Sequence, residues 1–186
     1  ALHAVRLSGL QPGMKVAILG AGAIGLSILQ VAKALGAGEL LVAEPQVARQ
    51  AAPARLGATV RGSAAELLEL CDAGQEADLV FEAAGGECSF AESLDLARPE
   101  GKVMVVGIPT PDLQQYSAKV PRRKELTVIF CRRSRHTLHD CLAMLADGRL
   151  EAGAFPVRQY RLEEAPQAIE EAMRRDSAMV RAIITP

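Results

Sequence analysis

The stretch from Lys15 to Glu44, KVAILGAGAIGLSILQVAKALGAGELLVAE, leaves the chain few ways to fold. Lys15 to Gly20 is a run of apolar, largely β-type residues closed by glycine, and reads as a buried strand. Ala23 to Leu35 lacks proline and is rich in Ala, Leu and Ile on nearly every face, as a helix packed on a buried sheet would be. Between them Gly20, Gly22 and Gly25 stand at GxGxxG spacing, and a second apolar run from Glu39 ends in the acid Glu44, 19 residues after Gly25. This order of parts is what a dinucleotide site requires. Gly20 permits a tight turn, Gly22 lets the backbone approach a pyrophosphate, and Gly25 lets the helix lie close to the strand. The free N–H groups and dipole at the helix start then attract phosphate.

Glu44, at a strand end, is placed to accept hydrogen bonds from both hydroxyls of an adenine ribose, and its charge would repel a 2′-phosphate. That favours NAD over NADP. Arg49 is open to two readings, a partner for a 2′-phosphate or a contact to the adenosine ribose, beside the plainer one of a solvated helix residue. A glycine turn with a strand-end acid also suits S-adenosylmethionine, so a methyltransferase and a non-catalytic NAD(H)-sensing module stand as alternatives.

Downstream the alternation continues. Pro45 begins a polar helix ending near Leu56, Thr59 to Arg61 is a short strand, and Ala64 to about Cys71 is a helix. Asp78 to Ala83, Cys88 to Arg98 and Lys102 to Gly107 read as strand, helix and strand. Such alternation specifies an α/β fold with a doubly wound parallel sheet and right-handed crossovers. Pro109 to Pro121 reads as a loop or lid, Glu125 to Phe130 as an edge strand, and Thr137 to Leu145 as a helix closed by Gly148. Phe155 to Tyr160, Glu163 to Arg175 and Met179 to Thr185 form a C-terminal strand-helix-strand extension. The expected division is a nucleotide-binding domain over residues 1–134 and a second segment over 135–186.

Aromatic residues make up only 3% of the chain, so the core must be aliphatic. A formal net charge of -1 gives no broad electrostatic reason to expect nucleic acid or an anionic membrane as partner. The uncharged run from Val16 to Ala32 falls short of the ~20 residues a membrane span needs and carries three glycines. Cys71, Cys88, Cys131 and Cys141 form no CxxC pair, which fits reduced thiols in a cytoplasmic protein. Ala1 opens the chain inside a helical pattern without a starting Met, as a piece of a longer protein would.

The ordered set HAV at residues 3–5, LQPGMKVAILGAGAIGL, QVAKALGA, the Arg49 to Ala58 stretch, DLVFEAAGG, RPEGKVMVVGIP and the closing VRAIITP resembles the zinc-type medium-chain alcohol and polyol dehydrogenases along nearly its whole length. The resemblance implies a Rossmann-type domain inserted into a catalytic domain whose larger, N-terminal part carries the zinc ligands and most of the substrate pocket. That part is absent from this sequence, so zinc is expected only there and the isolated chain is expected to bind cofactor without turnover. Unfilled apolar surface is expected on residues 150–186, where the family packs this segment onto that lobe. Residue by residue, the resemblance implies a pyrophosphate over Ala23, Ile24 and Gly25, and a ribose on Glu44 with Arg49. Ala84 and Gly85 pass under the cofactor, and the backbone of Val106, Gly107 and Ile108 meets the nicotinamide side. Where the family often has Gly-Ser-x-Arg, this chain has Phe130, Cys131, Arg132 and Arg133. Arg133 and Arg181 match phosphate-contacting positions in some members. The edge strand 125–130 is expected to join two chains into a homodimer.

Other residues carry weaker chemistry. His136 and His139, three apart and so on one helix face, invite a metal reading with Asp140 and Cys141, but the fourth well-placed ligand is not evident and they read rather as polar groups at a helix start. His3 reads as a packing residue. Pro121 to Glu125, PRRKE, reads as a solvated strand entrance, and Glu82 as a strand-end residue near the ligand crevice. Cys88 opens a helix but has no base partner at a readable spacing.

Overall fold

The computed structural model describes residues 1–72, 75–109, 113–174 and 176–186. After helix α1 (Leu2–Ser8), closed by Gly9 in the left-handed region, come β1 (Val16–Leu19), α2 (Ala23–Ala34), β2 (Leu40–Ala43), α3 (Val47–Arg55), β3 (Thr59–Arg61) and α4 (Ala64–Leu68). The second half of the main unit holds β4 (Ala77–Glu82), α5 (Ser89–Leu96), β5 (Ala97–Val105), α6 (Lys119–Lys124), β6 (Thr127–Phe130) and α7 (Leu138–Ala146). Six strands form one sheet in the order β3-β2-β1-β4-β5-β6, and every pair is parallel. The expected doubly wound sheet is therefore present, with its direction of winding reversing between β1 and β4.

The central strands are buried on both faces. Ile18, Leu79, Phe81 and Met104 pack with α1 and α2 on one side, while Ala17, Leu41, Val80 and Val103 pack with α4 and α5 on the other. Each of these side chains larger than alanine contributes roughly 1.5–3 kcal/mol by leaving water, which is why an aliphatic chain with few aromatics holds this sheet together. The uncharged run 16–32 is divided between β1 and α2, and among the described residues no helix is long and apolar enough to cross a membrane.

The structure differs from the sequence reading at three places. α3 starts at Val47 rather than Pro45, and is nine residues long with Pro53 inside it, where no N–H is available for the carbonyl of Arg49. β5 starts at Ala97 rather than Lys102, because Ala97 already pairs with Ala77 before a register shift brings Lys102 opposite Leu79. Glu100 takes a positive φ of 60 degrees in the bulge between them. The stretch read as a loop to Pro121 ends earlier. Residues 110–112 lie outside the described structure, whereas Lys119–Lys124 are helical, so PRRKE is the end of α6 and not a strand entrance. Pro121 is tolerated there because it falls in the first turn, where a helix N–H has no intrahelical partner. Lys124 then anchors the helix by donating to the carbonyls of Asp95 and Ala97, both at 2.7 Å.

The extension forms a second sheet of two parallel strands, β7 (Val157–Arg161) and β8 (Arg181–Thr185), crossed by α8 (Ala165–Met173). Its small core is Tyr160, Ala168 and Met179, and the Tyr160 hydroxyl donates to Glu171 at 2.8 Å. Leu162, Ile169 and Met173 are exposed, the last at 79%, so unfilled apolar surface is present on this segment. α7 packs elsewhere: Met144 belongs to the cluster of α1 and α2.

Candidate cofactor-binding site

The glycine turn lies at the C-terminal end of β1, at the point where the sheet reverses its winding. A Cβ on Gly25 would stand 1.9 Å from the carbonyl oxygen of Gly20, so the first turn of α2 rests directly on the end of β1. Gly20 has a φ of +92 degrees, and a Cβ there would come within 3.1 Å of Ala84. Gly22 caps α2 with extended backbone, has nothing within 4 Å of its Cβ position, and leaves the helix start without a side-chain cap. A twelve-residue helix thus presents its dipole and uncapped N–H groups to an open space.

Glu44 follows β2 and is only 3% exposed. Its carboxylate accepts from the N–H of Ala21 and of Gln46, each at 2.8 Å, one on each oxygen. A carboxylate has about four acceptor positions, so two remain for a ligand after the turn has been held. Glu44 therefore has a second task beyond the one its position in the sequence indicated: it fixes the glycine turn from the neighbouring strand.

Glu82, the last residue of β4, is 2% exposed. One oxygen accepts from the N–H of Ala84 at 2.9 Å, the N–H of Gly85 at 2.7 Å and the Ser89 hydroxyl at 2.8 Å. It organises the turn into α5. Gly85, at φ +64 degrees, brings that turn against the next loop, where a Cβ would lie 2.6 Å from the carbonyl oxygen of Ile108.

Three adjoining clefts follow the strand ends. One of about 970 Å³ is lined by Gly20, Gly22, Glu44, Gln46 and Arg49. One of about 310 Å³ runs between Gly20 and Ala84 on one side and Ser63, Cys88 and Glu92 on the other. The third, about 580 Å³, holds His3, Ile24, Ala84, Ile108 and Arg133, with Val106 and Gly107 in its wall. Ala84 lines all three. Ala23 lies in the first turn of α2, where its carbonyl accepts from Ser27, and Gly25 is buried beneath it. Gly20, Gly22, Ile24, Glu44, Arg49, Ala84, Val106, Gly107, Ile108 and Arg133 are thus brought to one connected crevice, with Gly25 and Gly85 shaping it from below. Arg181 is not among the residues lining it: it opens β8 with an exposed side chain.

Two contributors to the crevice gave no signal in the sequence. Asp176 lines the Glu44 cleft and pairs with Arg174 at 2.8 Å, while Arg49 donates to the carbonyl of Ser177 at 3.3 Å. Both come from more than a hundred residues downstream of the glycine turn, where local pattern has no reach.

The metal reading loses its premise. His136 lies outside α7 in a left-handed conformation, φ 51 degrees, so it and His139 do not share a helix face, and Asp140 is engaged by Arg6 at 2.6 Å. Among the described residues no three His, Cys, Asp or Glu side chains come together as metal ligands. All four cysteines are free, and burial pushes the Cys131 thiol above its ordinary range.

A parallel sheet of this strand order, with a glycine turn and an open helix N-terminus at its switch point, defines the dinucleotide-binding class of α/β fold. Residues 23–147 match the zinc-binding dehydrogenase family, and the chain belongs to it. It is 31% identical over 188 residues to the zinc-type alcohol dehydrogenase-like protein YdjJ of Escherichia coli K12, covering 98% of this chain and 54% of that protein. It is 27% identical over 190 residues to sorbitol dehydrogenase of Bacillus subtilis 168, covering 100% of this chain and 54% of the relative. Among solved structures, a zinc-binding dehydrogenase of Sinorhizobium meliloti 1021 bound to NADP superposes with a TM-score of 0.86 at 27% identity, over 100% of this chain and 56% of that one. The chain spans about half the length of the relatives it matches.

Proposed function

We propose that this chain is the NAD(H)-binding portion of a zinc-dependent alcohol or polyol dehydrogenase, and that it positions the nicotinamide for hydride transfer with an alcohol or its carbonyl product. The observation that carries this reading is the contact of Gly25 with Gly20 below an uncapped helix start, with Glu44 anchored beside it. Membership of the zinc-binding dehydrogenase family supports it. When bound, the nicotinamide cofactor supplies the hydride acceptor or donor. The chain supplies the rest: N–H groups of α2 for the pyrophosphate, the two free acceptor positions of Glu44 for the ribose hydroxyls, and the Val106–Ile108 backbone beside the nicotinamide. On this reading zinc chemistry belongs to the family's other lobe. The isolated chain should therefore bind NADH and oxidise no alcohol. Residues 1–134 carry most of the cofactor site, with Asp176 and Ser177 reaching it from the C-terminal segment, and exposed apolar side chains of 135–186 carry the surface that meets the catalytic lobe, within a reducing cytoplasm suited to four free thiols.

Glu44 decides between NAD and NADP. The relative from Sinorhizobium was solved with NADP, but here a buried carboxylate held by two backbone N–H groups cannot turn away from a 2′-phosphate. Glu44→Ala is expected to lower the ratio of NAD to NADP affinity by roughly 10- to 100-fold, as loss of one charge repulsion and a bidentate ribose contact would. Calorimetric titration of both cofactors reads this directly, with S-adenosylmethionine as a third arm. Tighter binding of NADP than of NAD by the unaltered chain would overturn the role given to Glu44.

We propose further that two chains associate through β6. Among the described residues this strand pairs with β5 along one side, and Phe130 at its end is 73% exposed. Sedimentation velocity should show a dimer, and a monodisperse monomer at high protein concentration would count against it.

A further inference from the structure

A cavity of about 530 Å³ lies on the face of the sheet that α5 and α6 cover, against Leu94, Val105 and Val128. Its volume is within the range of roughly 300–1,000 Å³ that small-molecule sites occupy. Of the chain's four phenylalanines and two tyrosines, Phe90, Phe130 and Tyr116 meet here. The Tyr116 ring stands edge-on to Phe90 with centroids 5.2 Å apart, and Phe130 lies 6.2 Å from the same ring. Phe90 is buried, and the end of β6 that carries Phe130 is tied to β5 by the Cys131 N–H, which donates to the carbonyl of Val105 at 2.8 Å. Neither α1 nor α2 contributes to this cavity, whereas His3 and Ile24 line the cleft on the nicotinamide side.

The charged group that lines this aromatic space is Glu82, only 2% exposed. One of its oxygens is occupied by the N–H groups of Ala84 and Gly85 and the Ser89 hydroxyl. The other accepts no hydrogen bond from any described residue. Gly107 keeps that second oxygen accessible, since a Cβ there would stand 2.6 Å from it. Among the described residues no lysine, arginine or histidine lines the cavity. A buried carboxylate without a counter-cation is costly, and an aromatic face attracts a cation through its quadrupole. One group meets both demands. We infer that this cavity is a second binding site, for a primary ammonium carried on an aromatic body. The ammonium donates to the second oxygen of Glu82, while the body packs among Phe90, Tyr116 and Phe130. A neutral alcohol of the same shape donates the hydrogen bond but leaves the charge unpaired, and a carboxylate is repelled. Bound on this face of the sheet, away from the nicotinamide side, the ligand is not the dehydrogenase substrate.

The test titrates the full chain by calorimetry with 2-phenylethylamine, 2-phenylethanol, phenylacetate and n-butylamine. The aromatic amine should bind about 10-fold or more tighter than the alcohol, as a charge-assisted hydrogen bond in a buried site allows, and phenylacetate should not bind. n-Butylamine keeps the ammonium but lacks the ring, and should be weaker than the aromatic amine by about 5-fold or more. E82Q should lower the amine's affinity by about 10-fold, to near that of the alcohol, and leave the alcohol's within about 3-fold. Because Glu82 also holds the turn into α5, Y116A supplies a second variant at an exposed position outside that turn. It should weaken the amine by about 3- to 10-fold with little change in Tm. Equal affinities for amine and alcohol overturn the inference, as does an amine affinity unchanged in either variant. Strict competition between 2-phenylethylamine and NADH would place the amine in the cofactor crevice and overturn it too. Absence of binding by all four compounds at millimolar concentration has the same consequence.

Discussion

Replacing Gly25 by valine is expected to abolish NADH binding and to destabilise the chain by about 3 kcal/mol or more, at the upper end of what overpacking costs. The first carbon of any side chain would already lie 1.9 Å from the Gly20 carbonyl oxygen, and the obstacle is backbone rather than a side chain that can swing aside. α2 would have to lift off β1, taking with it the buried contacts of Leu26, Ile28 and Leu29. Two glycines of the motif separate cleanly under this test. Gly22→Ala meets no atom within 4 Å, so stability should change by less than ~0.5 kcal/mol, as at ordinary surface positions. NADH affinity should nevertheless fall if the turn holds the pyrophosphate as proposed, because the new methyl would stand in its approach. Thermal unfolding beside NADH fluorescence titration distinguishes the two. A Gly25→Val protein that melts and binds like the unaltered chain would remove the glycine turn from the site.

The contrast between Gly25 and Gly22 shows what was legible in the sequence. Spacing, flanking strand and following helix located the turn, and period and composition found the six strands of the sheet, because those signals are local and the central strands are buried on both faces. Errors fell where a non-local contact decided the outcome. β5 begins early because Ala97 finds Ala77 across a bulge, and α6 forms in a proline-bearing stretch that Lys124 ties to the carbonyls of Asp95 and Ala97. At the site, Glu44 was readable as a strand-end acid at the right distance from the glycines. Its hold on the Ala21 N–H was not, since that contact crosses from β2 to the loop after β1. Asp176 and Ser177 reach the same cleft from the far end of the chain, by way of the second sheet.

Glu44 and Glu82 repeat one device. Each stands where a buried strand ends, each is almost fully buried, and each spends its carboxylate on backbone N–H groups of the loops that line the crevice. The loops must be rigid to present their backbone to a ligand, yet they are built of Gly and Ala, which have little side chain to pack. A buried acceptor reached by several donors supplies the rigidity that side-chain packing cannot.

For Glu82 the consequence is large enough to measure without any ligand. Glu82→Ala removes one acceptor from three donors at 2.7 to 2.9 Å, two of them backbone N–H groups in a part-buried turn. Hydrogen bonds to a charged group contribute about 1.5–3 kcal/mol each and their losses overlap when they share an oxygen, so a total near 3 kcal/mol is expected. For a chain of this length that is a fall in Tm of roughly 6–12 °C. Ser89→Ala removes only the hydroxyl donor and should cost about 1 kcal/mol. The double variant should cost less than the sum, because Ser89 and Glu82 form one network. Glu82→Gln can keep a carbonyl oxygen toward all three donors but loses the charge, and should fall between Ala and the unaltered residue. NADH affinity should follow the same order, since Ala84 lines all three clefts and Gly85 abuts Ile108. Strict additivity of Glu82→Ala and Ser89→Ala, or a Glu82→Ala protein with unchanged Tm, would show that the turn into α5 is held by its backbone alone.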